Sequence, residues 1–262
     1  MVYFVHVKLS VDSSYKNLCK SALRSICVPN IPKMLFKTRG IVINYIRYRE
    51  TSVIVKIYTE EFGIQTYIEN GVRSAKSKNK IALFQPLTLL DLVIYHRDGK
   101  NIHRISEMKC NAPFQTIPFN IQKSSIALFI TEILSKSLQE ESGNTPLFHF
   151  LNNSILWLDG VTENYENFHL QFLLEFGTYL GFSPENAHEI SHELSLHNLP
   201  TLTQVLENQL NVLMNTQYDK APKIDRFSRN QLLDSIILFY RLHVDTLTEV
   251  KSLGILQEVM RG

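Results

Sequence analysis

Between residue 35 and about residue 110, the apolar residues are grouped in short runs separated by polar and turn-forming residues. The runs are rich in β-branched and aromatic side chains, which strands favour. They are LFKTRGIVINYI (35–46), TSVIVKIYT (51–59), IQTYIE (64–69), LTLLDLVIYH (87–96) and NIHRISEMK (101–109). The dipeptide Asp98-Gly99 predicts a two-residue hairpin turn between the last two runs. Five short strands that must hide their edges predict a small closed barrel of the five-stranded OB-fold type.

After the proline-containing stretch NAPFQTIPF (111–119), the apolar positions change to a helical period. One face of SSIALFITEILSKSL (124–138) carries Ile126, Phe129, Ile130, Ile133 and Leu134. Thr145 and Pro146 predict the N-cap and the first position of a second helix. NFHLQFLLEFGTYLG (167–181) is apolar almost all round, as a central helix should be, and Gly181 is predicted to end it. The chain is therefore predicted to be α+β, with an OB-fold barrel followed by an all-α helical domain.

The sequence predicts three segments. Residues 1–33 end in the proline-broken stretch PNIPK and are expected to be an N-terminal extension with little structure. The alternative is that this extension packs as an additional strand or helix. Residues 34–112 are predicted to form the OB-fold nucleic-acid-binding domain, and residues 119–262 the helical domain.

Composition limits the environment of the protein more than its function. The 262 residues are 44% hydrophobic, enough for a buried core, and the net charge of +2 is too small to indicate a nucleic-acid partner by itself. Cys19, Cys27 and Cys110 are scattered and show no C-x-x-C spacing, which fits a reducing compartment and predicts no cysteine zinc site. No run of eighteen apolar residues occurs, so no membrane-spanning helix is expected. A cytoplasmic location is therefore expected.

The stretch HEISH (188–192) matches the H-E-x-x-H signature, in which His188 and His192 would bind zinc and the glutamate would activate water. The extended form of this motif requires a glycine and a third histidine, where the chain has Ser195 and Asn198. Glu207 is the alternative third ligand. The surrounding segment is strongly polar, and its simplest interpretation is a solvated short helix. A zinc peptidase is thus a remote alternative.

The segment GVRSAKS (71–77) resembles the beginning of a phosphate-binding P-loop. Lys76 occupies the place of the second glycine, and the segment follows a predicted strand without leading into a helix. ATP hydrolysis is therefore not predicted.

Residues 71–80, GVRSAKSKNK, form what we call the basic segment, because they carry four cations and no acid. Two more cations lie on the first predicted strand. Nucleic-acid contacts are predicted at Lys37, Arg39, Arg73, Lys76, Lys78 and Lys80. Tyr45, Tyr48 and Tyr67 are nearby aromatic residues that could stack on bases, since cations and aromatics along a groove hold single strands without sequence preference. The alternative is a solvated lysine-rich loop beside tyrosines that belong to the core.

Five short motifs between residues 40 and 86 are similar to those of the bacterial recombination mediator family RecO. They are a G-I-V strand (40–42), an E-[ST] step (50–52), a T-E-E-x-G turn (59–63), a basic G-x-R loop (71–78) and L-x-Q-P (83–86). The helical half follows the family's layout in TEILSKSLQEE, FHLQFLLEFGTYLGFSP and FYRLHVDTLTEVKSLGIL. The resemblance covers about residues 34–262.

The resemblance implies a non-enzymatic protein of recombinational DNA repair without a cofactor. Such proteins bind single- and double-stranded DNA, anneal complementary strands and help to load the recombinase RecA. The implied protein partners are RecR and the acidic C-terminal tail of single-strand-binding protein, and neither a membrane nor a small-molecule substrate is expected. Many members carry a four-cysteine zinc module after a "GF-P" step, but GFSPENAHEISHELSLHN (181–198) contains no cysteine, so no zinc is predicted here.

Annealing requires neutralisation of phosphate charge rather than a general base. If about five of the predicted cations contact one strand, log affinity should fall with log salt with a slope of roughly −3 to −4. Glu60 and Glu61 are interpreted as solvated turn residues, and Lys123 and Lys136 as possible rim residues of a groove for the acidic tail. The main alternative is an OB-fold adaptor whose basic segment binds an acidic protein.

Overall fold

The computed structural model describes residues 34–72, 80–96 and 99–260. Its first part contains the five predicted strands, each within a few residues of the predicted bounds. They are β1 (Leu35–Tyr48), β2 (Ser52–Thr59), β3 (Gly63–Glu69), β4 (Leu89–Tyr95) and β5 (His103–Ala112). Short 3₁₀ turns at Lys80–Phe84 and Ile117–Phe119 precede β4 and the first long helix.

The strands close into a barrel in the order β1-β2-β3-β5-β4, in which only the β3–β5 contact is parallel. This order is that of the five-stranded OB-fold, and the predicted fold class is confirmed. The long strand β1 pairs with both β2 and β4, and a bulge between Val42 and Asn44 marks the change of register. A Cβ atom at Gly40 would lie 2.6 Å from Ile57 Cγ2 and 2.8 Å from Leu92 Cδ1. The packed barrel interior therefore leaves no room for a side chain at this position of β1.

Alternate residues of the strands fill the barrel. The fully buried side chains include Val42, Val53, Val55, Ile57 and Tyr67. Phe84 enters the same core from the 3₁₀ turn before β4. This alternation leaves the other side chain of each pair on the outer surface, where a ligand can contact it.

The helical part contains seven α-helices in the described residues. They are α1 (Ile121–Ser137), α2 (Thr145–Gly160), α3 (Phe168–Leu180), α4 (Ala187–Leu196), α5 (Gln204–Met214), α6 (Arg226–His243) and α7 (Ser252–Val259). None of them is long and apolar enough to cross a bilayer.

The helix ends follow local capping chemistry. Asn144, not Thr145, is the N-cap of α2, because the Asn144 side chain accepts the backbone N–H of Leu147. The predicted cap was therefore one residue too late. Gly181 ends α3 in the left-handed region at φ 86°, as predicted. Helix α3 is buried on nearly all sides and packs against α2, α5 and α6, which explains its apolar sequence.

One hydrophobic core joins the barrel to the helices, and it is separate from the core inside the barrel. Ile41, Ile43 and Tyr58 point out of the barrel and belong to the same buried cluster as the helical side chains. The Tyr58 ring stacks on Phe148 of α2, with centroids 6.4 Å apart. Helix α1 also packs on β1. Among the described residues, the helical part therefore covers one section of the barrel surface.

Candidate nucleic-acid interface

Lys37 and Arg39 point outward from the first half of β1. In the antiparallel register Lys37 lies opposite Val93, and Arg39 lies opposite Asp91. Strand β5 extends the row formed by Arg39 and Asp91, because Asp91 lies opposite Lys109. These outward positions, with the β2–β3 turn, line a shallow cleft of about 450 Å³, which we call the β1–β4–β5 cleft. The structure thus brings two of the six predicted cations into one depression.

The Arg39 guanidinium is held by a carboxylate. Its Nε donates to Glu60 Oε2 at 2.8 Å and its Nη2 to Glu60 Oε1 at 2.7 Å, a bidentate ion pair. The guanidinium also lies over the Phe148 ring, 5.0 Å from its centroid. The hydrogen bond from Arg39 is the main cause that lowers the pKa of Glu60, and His149, 3.6 Å from Glu60 Oε1, contributes to the same direction. Arg39 is therefore already paired with Glu60 in the absence of a ligand.

The T-E-E-x-G turn is a docking element between barrel and helices. Thr59 Oγ1 donates to the Gly63 carbonyl and accepts the Phe62 N–H, which shapes the turn. The Ile64 N–H donates to the Glu140 carbonyl at 3.0 Å in the α1–α2 connection. Only glycine fits at Gly63, where a Cβ would lie 2.3 Å from that same carbonyl oxygen.

Glu60 is consequently not a free solvated turn residue, and that part of the interpretation was wrong. Glu61, the next residue, is exposed as expected. The difference follows from the turn itself, because its docking against the α1–α2 connection leaves Glu60 directed at Arg39.

Lys80 marks the end of the basic segment. Its ammonium forms an ion pair with Glu69 at the end of β3, and both side chains are partly buried. At the other end of the segment, Asn70 Oδ1 accepts a hydrogen bond from Ser52. The remaining predicted contacts, Arg73, Lys76 and Lys78, lie outside the described residues.

The three tyrosines have different environments. Tyr67 is fully buried inside the barrel, where burial raises the pKa of its phenol, and Tyr45 packs against the same core. Tyr48 keeps 36% of its surface exposed and lies beneath the Arg49 guanidinium, whose carbon is 5.3 Å from the ring centroid. Of the three, only Tyr48 presents its ring to a ligand, and Tyr45 and Tyr67 follow the alternative interpretation as core residues.

The β1–β4–β5 cleft has mixed charge. Glu60, Glu61, Asp91 and Glu107 line it together with Lys37, Arg39 and Lys109. Lys109 was not among the predicted contacts, although the register of a β4–β5 hairpin would have placed it in this row. The acids come from elements distant in sequence, so counting the cations along β1 could not find them.

Lys123 is buried rather than at the rim of a groove, which corrects the prediction. Its Nζ donates to Thr116 Oγ1 at 2.6 Å and to the carbonyls of Asp159 and Val161. Burial lowers the pKa of this ammonium, and the negative charge of Asp159 opposes that shift. Lys136 is nearer the surface, 3.1 Å from Glu132.

The histidines of HEISH lie on α4, a short helix as predicted. His188 Nδ1 is 3.7 Å from Glu207 Oε1, and the His188 and His192 ring centroids are 6.5 Å apart. Across residues 34–72, 80–96 and 99–260, no three histidine, cysteine, aspartate or glutamate side chains converge as metal ligands. The segment 181–198 also contains no thiol, so it does not fit a four-cysteine zinc module.

Two family models match this chain. The model described as "Recombination protein O N terminal" matches residues 34–114, and "Recombination protein O C terminal" matches residues 118–196. Similar curated proteins are named "DNA repair protein RecO". The protein from Phocaeicola vulgatus is 38% identical over 241 residues, and that from Flavobacterium johnsoniae 36% over 236. Each alignment covers 86% of this chain and 99% of the relative.

Proposed function

This chain belongs to the RecO family of DNA repair proteins, and we propose that it acts as a non-enzymatic, DNA-binding recombination mediator. In this proposal it binds single- and double-stranded DNA, anneals complementary strands and, with RecR and single-strand-binding protein, assists RecA loading. The observation that carries the proposal is the match of both family models to a chain that folds as an OB-fold barrel with a helical domain.

The physical task is to bring two polyanions together. Phosphate repulsion opposes pairing, and cations that neutralise the backbones while leaving base edges free remove that barrier. Lys37, Arg39 and the basic segment are the proposed neutralising groups. The basic segment supports this role best, because it has no acid of its own, whereas Arg39 is already paired with Glu60.

The protein partners follow from the family rather than from a located site. We propose RecR and the acidic tail of single-strand-binding protein as partners. Burial of Lys123 removes one of the two cations that were assigned to a tail groove, so Lys136 is the remaining one.

Strand annealing is the decisive assay for this proposal. Two complementary labelled oligonucleotides are mixed with the full chain, with and without purified single-strand-binding protein. The triple variant Arg73→Glu, Lys76→Glu, Lys78→Glu should lose at least tenfold in DNA affinity and a matching part of the annealing rate. A variant with the same charge change on exposed residues of the helical part of the chain, Lys220→Glu, Lys223→Glu, Arg241→Glu, should anneal like the parent.

Equal annealing by the two triple variants would reject the role of the basic segment. The same measurements distinguish the adaptor alternative. An adaptor for an acidic protein would bind that protein, and it would show no oligonucleotide affinity that falls steeply with salt concentration.

A further inference from the structure

A cavity of about 410 Å³ lies in the helical part of the chain, beside the C-terminal ends of α3 and α5. Glu175 and Thr178 of α3 line it, together with Asn215 and Thr216 after α5 and Glu185 in the α3–α4 connection. We call it the α3–α5 cavity. Its volume is in the range of small-ligand pockets, and it shares no lining residue with the β1–β4–β5 cleft.

The charged side chains that line the α3–α5 cavity are both carboxylates. Glu175 and Glu185 are accessible to solvent, and neither forms an ion pair with any residue that the structure describes. Burial raises the pKa of the Glu175 carboxyl, and it is the only cause of that shift among the described residues. A cation beside Glu175 would stabilise its ionised form.

The ends of two helices add partial negative charge. Helix α5 ends at Met214, and the two residues that follow it, Asn215 and Thr216, line the cavity. Helix α3 ends at Leu180, close to Thr178. Because the C-terminal end of a helix carries the negative pole of its dipole, both ends favour a cation in the cavity.

Gln171 supplies a buried acceptor at the floor of the cavity. The residue is 5% exposed and lines the cavity. Its Nε2 donates to the carbonyls of Leu213 at 3.3 Å and Thr216 at 2.8 Å, which fixes the orientation of the amide. Its Oε1 accepts no hydrogen bond from any described residue. A buried acceptor without a donor is costly, so this oxygen favours a ligand that donates hydrogen bonds.

An aromatic ring forms a further part of the wall. The Tyr218 ring packs on Trp157 and Phe168, with centroids 4.9 and 4.8 Å away, and its hydroxyl is 3.3 Å from Ser154 Oγ. These contacts hold the ring in place. An aromatic ring attracts a cation that lies over its face, so Tyr218 agrees in sign with the two carboxylates.

We propose that the α3–α5 cavity binds an organic cation, whose ammonium or guanidinium group donates hydrogen bonds to Glu175, Glu185 and Gln171 Oε1. Such groups carry several donors and no acceptor, which matches a wall of acceptors. A divalent metal ion matches it less well, because no three metal-ligating side chains converge in the described part of the chain. The carboxylates repel phosphate, so this site is independent of the proposed DNA binding.

Thermal melts and titration calorimetry of the full chain without DNA test the proposal. The probes are spermidine, agmatine, a blocked glycyl-arginyl-glycine peptide and Mg²⁺, all at equal ionic strength. At ten times its Kd, an organic probe should raise Tm by about 3–5 °C. Glu175→Gln with Glu185→Gln should weaken its binding by about tenfold or more. The control Glu163→Gln with Glu249→Gln removes two exposed carboxylates outside the cavity and should bind like the parent.

A tethered cation gives a second test. Thr178 follows Glu175 by three positions on α3, so the two side chains are neighbours. Thr178→Lys would place an ammonium beside Glu175 and should raise Tm by about 1 °C relative to the uncharged variant Thr178→Met. The tethered ammonium should also weaken the binding of the free organic probes more than Thr178→Met does.

The outcomes identify the source of the cation or overturn the site. Binding of spermidine or agmatine supports a free amine as the ligand, and binding of the peptide supports a basic side chain of a partner chain. No organic probe bound at millimolar concentration, or equal binding by the parent and the Glu175/Glu185 variant, overturns the site. A rise in Tm with Mg²⁺ as large as with the organic probes overturns the preference for an organic cation. The proposed DNA binding stands or falls separately, by the annealing assay.

Discussion

Replacing Glu60 by glutamine should destabilise the fold and at the same time strengthen DNA binding. The carboxylate accepts two hydrogen bonds from Arg39, at 2.7 and 2.8 Å. In Glu60→Gln one of the two carboxylate oxygens is replaced by an amide NH2 group. This group cannot accept a hydrogen bond from the guanidinium, so the bidentate pair is lost. Arg39 then becomes available as a phosphate contact.

The magnitude of the stability loss follows from exposure. The Arg39 and Glu60 side chains are 37% and 21% exposed, so solvent screens the pair in part. A surface ion pair contributes up to about 1 kcal/mol, and hydrogen bonds to charged groups contribute somewhat more when buried. We therefore expect a loss of about 1 kcal/mol at pH 7, and a Tm lower by about 2–4 °C for a unit of this size.

The loss should depend on pH with a definite sign. Arg39 lowers the pKa of Glu60 in the folded state from its ordinary value of 4.5. A carboxyl group with a lowered folded pKa contributes stability above its unfolded pKa and loses it as pH falls through the folded value. The difference in Tm between parent and Glu60→Gln should be constant near neutrality and should shrink below about pH 4.5.

The assay compares thermal melts and salt-dependent anisotropy for the parent, Glu60→Gln and Glu61→Gln. The control removes the same charge from the neighbouring, exposed residue. Glu60→Gln should steepen the slope of log affinity against log salt by about 0.7, for one additional phosphate contact, and Glu61→Gln should not. An unchanged Tm at pH 7, or equal slopes for the two variants, would refute the reasoning.

Two further predictions concern one buried contact within the helical part and one close approach between that part and the barrel. Lys123→Met leaves the Thr116 hydroxyl and the carbonyls of Asp159 and Val161 without their donor. It should lower the free energy of unfolding, measured by urea denaturation, by about 3–5 kcal/mol. The control Lys220→Met at the surface should change that free energy by about 0.5 kcal/mol or less. Equal midpoints would contradict the buried placement of Lys123. Gly143→Ala would place a Cβ 2.4 Å from the Glu61 carbonyl oxygen and should lower Tm, because backbone meets backbone there. Gly160→Ala, at a helical position with open space around it, should leave Tm unchanged or raise it, and a Tm for Gly143→Ala equal to that of the parent would falsify the close approach.

The barrel was predictable because each strand carries its own signal. Runs of β-branched residues were enough to give five strands, and closure followed from the need to hide edges. The two-residue turn predicted at Asp98-Gly99 lies partly outside the described residues, and the paired part of β4 ends at Tyr95, opposite Arg104 of β5. The partner of Arg39 was not predictable, because a one-residue bulge decides it. Tyr48 pairs with Ser52, and an uninterrupted register would place Arg39 opposite Glu61. The bulge between Val42 and Asn44 shifts that register by one residue.

The candidate site was harder to predict because cationic residues were chosen from the sequence without asking which face of the strand or helix each one occupies. Lys123 carried a usable signal, since Ile126 and Ile130 follow it at helical spacing on the buried face of α1.

The central claim is that the barrel surface of this chain attracts nucleic-acid phosphates. Its most direct test is anisotropy of a labelled single-stranded oligonucleotide titrated with the full chain at a series of salt concentrations. We predict tight binding in dilute buffer and a slope of log affinity against log salt of roughly −3 to −4. No binding at low salt, or an affinity independent of salt, would contradict the claim.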